Sequence, residues 1–170
     1  QDGGGNCKGT IMATVAGNIK DMKGAGVGQT SIMPGAGLAS KATTDNNGDF
    51  TFDIASGSSY TFTPSKKINP LNGVSTQDIV IMSNHILGKK QLDNPYKWIA
   101  ADVNKDGKVT TGDMVLVRKL ILHIIDQFPE SESWRFVDKD FVFTPGVNPL
   151  KVSFPEVYPM NSLPKGGAIA

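Results

Sequence analysis

The sequence predicts an α+β fold: an N-terminal antiparallel β-sandwich, a pair of helices each entered through a loop, and an extended, β- and Pro-rich C-terminal tail. Three observations carry this. Short stretches before residue 67 alternate apolar and polar residues. Between residues 67 and 127 the apolar spacing changes to three and four, as on one face of a helix. Beyond that, Pro145, Pro149, Pro155, Pro159 and Pro164 punctuate the chain. Proline cannot donate in a ladder, so edge strands or wrapping segments are expected there. The changes divide the chain into residues 1–66, 67–127 and 128–170, the last packing on the first two or on a neighbour.

In the first segment, residues 9–17 are rich in β-branched side chains, and Phe50 and Phe52 alternate with Thr51 and Asp53. Tyr60 and Phe62 repeat that alternation. Asp45-Asn46-Asn47-Gly48 supplies residues that tolerate positive φ, a turn of the hairpin kind. The Gly-rich residues 23–39 are too broken for a helix. Gly24-Ala25-Gly26-Val27-Gly28 looks superficially like a phosphate loop. It lacks the Lys-Ser/Thr and the helix that a phosphate site needs, so a plain loop is the better reading.

In the second segment Ile79, Met82 and Ile86 share a helix face, with Val80 and Leu87 beside it; Ser75 or Thr76 caps the start and Gly88 the end. Met114, Val117, Leu120, Ile121 and Ile124 form a second such face. The two are an internal repeat. Aligning Asp78 with Asp113 superposes Val80 on Val115, Ile86 on Ile121 and Leu87 on Leu122. A repeat of this size is a duplicated supersecondary unit. In the third segment residues 134–143 read as one or two strands.

The loop before the second helix, Asp-Val-Asn-Lys-Asp-Gly-Lys-Val-Thr-Thr-Gly-Asp at residues 102–113, has a definite chemistry. Asp102, Asn104, Asp106 and Asp113 place hard oxygens at positions 1, 3, 5 and 12, with Gly107 at the sharp turn. The Lys108 carbonyl serves at position 7, and Thr110 serves at position 9 directly or through water. Calcium takes about six to eight oxygens in a flexible shell, which this set suits; magnesium wants a tighter octahedron and zinc wants Cys or His. The plainer alternative is an Asn/Asp-rich turn that caps a helix. In the first copy Pro70 and Leu71 replace early ligands and the loop is one residue short. Asn72, Ser75 and Asp78 make a second, weaker site there, or else a metal-free helix cap.

A loop followed by a helix, twice, with Asp closing the loop, resembles the dockerin family. The hairpin sequence "TTDNNGDFTF" resembles that of carboxypeptidase-regulatory-like (transthyretin-like) β-domains, which precede such modules in secreted bacterial surface proteins. The resemblance implies a helix after each calcium loop, bound Ca²⁺ and a cohesin-like partner.

Composition narrows the function classes. Of 170 residues, 17 are Lys or Arg and 16 are Asp or Glu, a net charge of +1. No basic field invites nucleic acid or an anionic membrane surface. No apolar run approaches the roughly 18 residues of a membrane span. The chain opens at Gln1 rather than Met, which suggests a removed leader and a secreted, surface-associated protein. Cys7 is the single cysteine and reads as a packed thiol. His85 and His123 read as surface or interhelix contacts, and no HExxH, GxSxG or P-loop motif occurs. A non-enzymatic structural protein is therefore expected. Its extended ends, residues 1–10 or 150–170, would complete a neighbour's sheet and build a fibre from copies of the chain. The alternative is a module that docks a cohesin-like partner.

Overall fold

The computed structural model describes residues 11–35, 41–57, 59–132 and 134–160. Cys7 and the terminal segments 1–10 and 161–170 lie outside them. Two compact units result. One takes the chain up to Ser65 and again from Val157; the other is Lys66–Glu156. The second unit is thus an insertion in the sequence of the first.

In the first unit the alternation becomes antiparallel pairing. Strand β1 (Met12–Asn18) pairs with β4 (Asp49–Ala55), with Val15 opposite Phe52 and Ala13 opposite Ile54. A second sheet has the order β3 (Ala42–Thr43), β2 (Ser31–Pro34), β5 (Tyr60–Ser65), β6 (Tyr158–Met160). Val15, Ile32, Phe52, Ile54, Tyr60 and Phe62 from the two sheets meet in one apolar cluster. The Phe52 and Phe62 rings lie 5.0 Å apart. The Asp45–Gly48 turn joins β3 to β4, strands of different sheets, and so is not the turn of a paired hairpin. Strand β2 arises inside the Gly-rich stretch of residues 23–39, whose sequence says only that it is too broken for a helix.

The glycines of that stretch have a packing explanation. A Cβ on Gly26 would lie 2.1 Å from the main-chain carbon of Asn47. Only a bare backbone can approach the turn this closely.

In the second unit, α1 (Thr76–Ile86) packs against α3 (Thr111–Ile121). Met82, Val117 and Leu120 are buried with Leu92, Ala101, Val103 and Phe128. Ile79 and Ile121 are partly covered, whereas Val80, Leu87 and Ile124 remain exposed. Between α1 and α3 runs a further helix, α2 (Pro95–Ala101), not expected from the periodicity. Asn94 caps it, accepting from Tyr96 N–H at 2.8 Å, and Pro95 opens it. Residues 134–143 form no strand, contrary to the sequence reading. They are extended coil within the second unit. Tyr158–Met160 alone of the described tail forms a strand, and it pairs with β5 of its own chain.

His85 is an interhelix contact: its Nδ1 accepts from Leu92 N–H at 3.4 Å, and its ring meets the Trp98 edge at 4.4 Å. The helix ends repeat bond for bond. Leu87 N–H donates to Ser83 O and Leu122 N–H to Arg118 O; Lys89 N–H donates to Asn84 O and Ile124 N–H to Lys119 O. The next residue past each C-cap is left-handed, Gly88 at φ 68° and His123 at φ 54°. Glycine adopts that conformation without penalty, and histidine does not. His123→Gly is therefore expected to stabilise the second unit by about 1 kcal/mol, read as a rise of a few degrees in melting temperature. An unchanged or lowered melting temperature would show that the His123 side chain makes up for its strain.

Candidate metal centre

The loop of residues 102–113 is folded by its own side chains. Asp102 is the C-cap of α2, its N–H donating to Trp98 O at 3.1 Å. Its carboxylate accepts from Asp106 N–H at 3.1 Å and Gly107 N–H at 3.0 Å. Asn104 Oδ1 accepts from the same Asp106 N–H at 3.0 Å, and Asp106 Oδ1 accepts from Lys108 N–H at 2.9 Å. Each of positions 1, 3 and 5 thus holds a main-chain amide farther along the loop. Lys105 (φ 56°) and Gly107 (φ 80°) are left-handed, which bends the chain back on itself.

Asp113 closes the loop. Thr110 and Asp113 form a capping box at the start of α3: Asp113 Oδ2 accepts from Thr110 N–H at 2.8 Å, and Thr110 Oγ1 accepts from Gly112 N–H at 3.2 Å. Asp113 Oδ1 also accepts from Val103 N–H at 3.0 Å and Asn104 N–H at 3.3 Å. Asp113 has 0% of its surface exposed and Asp102 only 6%. Neither pairs with a Lys or Arg among the described residues.

Burial pushes the Asp102 carboxyl above its ordinary pKa. The amides of Gly107 and Asp106 act against this, and the charges of Asp113 and Asp106 add to it. Three carboxylates on one short loop are the oxygen type that suits a hard divalent ion. No group of three or more His, Cys, Asp or Glu among the described residues is gathered closely enough to hold a metal. Asp113 in particular is engaged by amides, and a cation would have to share or displace them.

The first copy keeps the cap and lacks the rest. Ser75 N–H donates to Asp78 Oδ2 at 2.7 Å, and Ser75 Oγ accepts from Gln77 N–H at 3.2 Å. Asn72 enters only through its main chain, its N–H donating to Asn69 O at 2.9 Å. Ser75 and Asp78 are therefore brought together as a helix cap, and Asn72 is not joined to them by a hydrogen bond among the described residues.

Two features escaped the sequence reading. One is the exposure of Val80, Leu87, Val115 and Leu122, whose repeat equivalence was legible but whose outward direction was not. The other is the tail beside the loop. Arg135, Leu150, Val152 and Phe154 share a cleft of about 370 Å³ with Asp102 and Asp106.

Residues 72–127 match the model of the dockerin type I domain. This stretch is a dockerin-like module spanning both loop–helix units, and domains of this type typically bind calcium. No curated protein and no solved structure matches the chain.

The two caps can be weighed against each other. In metal-free protein Asp113→Ala is expected to cost about 3 kcal/mol and Asp78→Ala about 1 kcal/mol, measured by chemical denaturation. Equal costs would mean that the Val103 and Asn104 bonds contribute nothing. A carboxyl whose folded pKa is raised binds its proton more tightly when folded. The contribution of Asp102 is thus fully present below its unfolded pKa and is lost as pH rises through the folded one. Calorimetry of metal-free protein from pH 4 to 7 is expected to show this as a difference in slope between wild type and Asp102→Asn. Saturating calcium, which favours the ionised carboxylate, should reverse the sign of that difference.

Proposed function

We propose that residues 72–127 are a calcium-stabilised docking module that binds a cohesin-like partner through the outer faces of α1 and α3. The observation that carries this is a matched pair of exposed apolar stripes on the dockerin-like module. Val80 and Val115 are 51% and 49% exposed, and Leu87 and Leu122 are 62% and 60% exposed. Within each helix the Val and the Leu are seven residues apart, two turns along one side. Equivalent residues are thus offered at equivalent positions by both copies, which suits a partner that grips two helices at once. Between the apolar anchors the copies differ: Ser83 and Asn84 on α1, Arg118 and Lys119 on α3. That difference favours a partner with an acidic patch opposite α3.

Calcium belongs to the 102–113 loop in this reading. Asp102, Asn104, Asp106, the Lys108 carbonyl, Thr110 and Asp113 would hold it, and Ser75 and Asp78 serve as a cap. At about 100 times its dissociation constant the ion would stabilise the module by about 2.7 kcal/mol. The role is non-catalytic. Dockerin domains occur in secreted or cell-surface proteins, which supports an extracellular setting. Among the described residues no helix is long and apolar enough to cross a membrane.

Docking is preferred to self-assembly through the chain ends. Of the expected strand donors, the only described strand, Tyr158–Met160, completes a sheet within its own chain.

Surface plasmon resonance on an immobilised cohesin-like domain tests the proposal. Binding is expected with calcium and not after chelation, and Leu87→Asp with Leu122→Asp is expected to weaken it by about 100-fold. Binding indifferent to both changes would overturn it. Fibres of purified chain in electron micrographs, without partner binding, would favour self-association instead.

A further inference from the structure

We propose that the tail beyond the dockerin-like stretch, residues 135–156, braces the ion loop and raises its calcium affinity. The inference rests on the calcium reading of residues 102–113. The path of contacts is short. Loop position 1, Asp102, is the C-cap of α2, so the placement of α2 is the placement of that ligand. Helix α2 has only 7 residues, too few to hold itself in water. Ala101 joins it to the buried core, and Ile99, also buried, lines the cleft shared with Pro149, Leu150 and Phe154. Its first turn is held by the tail, through Tyr96, whose ring meets Phe143 edge-on at 5.6 Å.

Phe143 is itself fixed. It contacts Phe141 at 4.9 Å and Phe154 at 6.0 Å, ring centre to ring centre. Arg135 stacks over Phe154 at 5.2 Å and pairs with Glu156, which closes the tail on itself. A short 3-10 turn at Pro149–Lys151 lies against α2; it is capped by Asn148, and Pro149 is buried. The same segment and the loop form the two walls of one cleft, with Arg135 and Phe154 on the tail side and Asp102, Asp106 and Gly107 on the loop side. The three-ring cluster thus reaches α2 through Tyr96, and α2 ends at the first loop position. Outer contacts that hold ligands in place typically matter by 10- to 100-fold in metal affinity.

Coupling of this kind is reciprocal: if the tail tightens calcium binding, calcium must tighten the tail. Both directions are measurable in the full chain with calcium as the probe. Calorimetric titration of Phe143→Ala is expected to show calcium binding weakened by at least 10-fold. Phe143→Tyr, which keeps the ring, should restore it, and Val142→Ala, at a side chain 81% exposed, should leave it unchanged. Hydrogen exchange of wild type is expected to show residues 141–154 more protected with calcium than without. This measurement needs no variant to fold. If wild type binds calcium, Phe143→Ala binds it equally well and the tail exchanges alike with and without calcium, the brace is overturned and the calcium reading stands. If wild type binds no calcium, both fall together.

Discussion

Four hydrogen bonds converge on the carboxylate of Asp113, which has no exposed surface. The donors are the amides of Val103, Asn104 and Thr110 and the Thr110 hydroxyl. A buried carboxylate is costly unless its oxygens are occupied, and here they are occupied by the two ends of one loop. The first turn of α3 is thereby fastened to the exit of α2. Val103, the residue whose amide is held, is itself buried in the helical core. One side chain therefore ties the loop's entry, its exit, a helix start and the apolar cluster. The remaining order of the loop follows in smaller steps: Asp102, Asn104 and Asp106 each receive one or two amides once the ends are fixed.

The duplicated unit shows which part of this is needed for folding alone. Both copies retain the capping box with nearly the same geometry, 2.7 Å in one and 2.8 Å in the other from amide to carboxylate. Only the second adds carboxylates at positions 1 and 5, Asp102 and Asp106, with Asn104 at position 3. A helix start needs one carboxylate. Burying Asp102 raises its pKa, and the nearby charges of Asp113 and Asp106 add to the rise, which works against the ionised, metal-free fold. That cost falls on the second copy alone, because the first has no carboxylate at the matching early positions.

Legibility in the sequence followed the range of the interactions. The turn and cap of the 102–113 loop were readable because their hydrogen-bonding side chains lie within the loop itself. The repeat was readable because Val80 and Val115, or Leu87 and Leu122, recur at one offset. Faces were harder. Val80 and Leu87 stand next to the buried Met82 stripe in sequence, and periodicity cannot say how wide the covered sector is. Helix α2 escaped because 7 residues give too few turns to show a period, although Asn94-Pro95 marks its start. The tail escaped for another reason. Phe141 and Phe143 alternate and read as strand, but Phe143 meets Tyr96, more than forty residues away, and no local pattern encodes that.

Topology constrains how the chain returns to the first sheet. Strand β6 pairs with β5 over only three residues, one of them Pro159, with Phe62 opposite Tyr158. So short a strand, missing one donor, gives little stabilisation on its own. Bringing Tyr158 back to Phe62 through a disordered chain of that length would cost about 4 kcal/mol of closure entropy. The pairing is favourable only when the intervening segment is already ordered. That segment is the helical unit with its tail. Tyr158 packs against the apolar cluster of the first unit. That apolar contact adds to a strand pairing too short to stand alone.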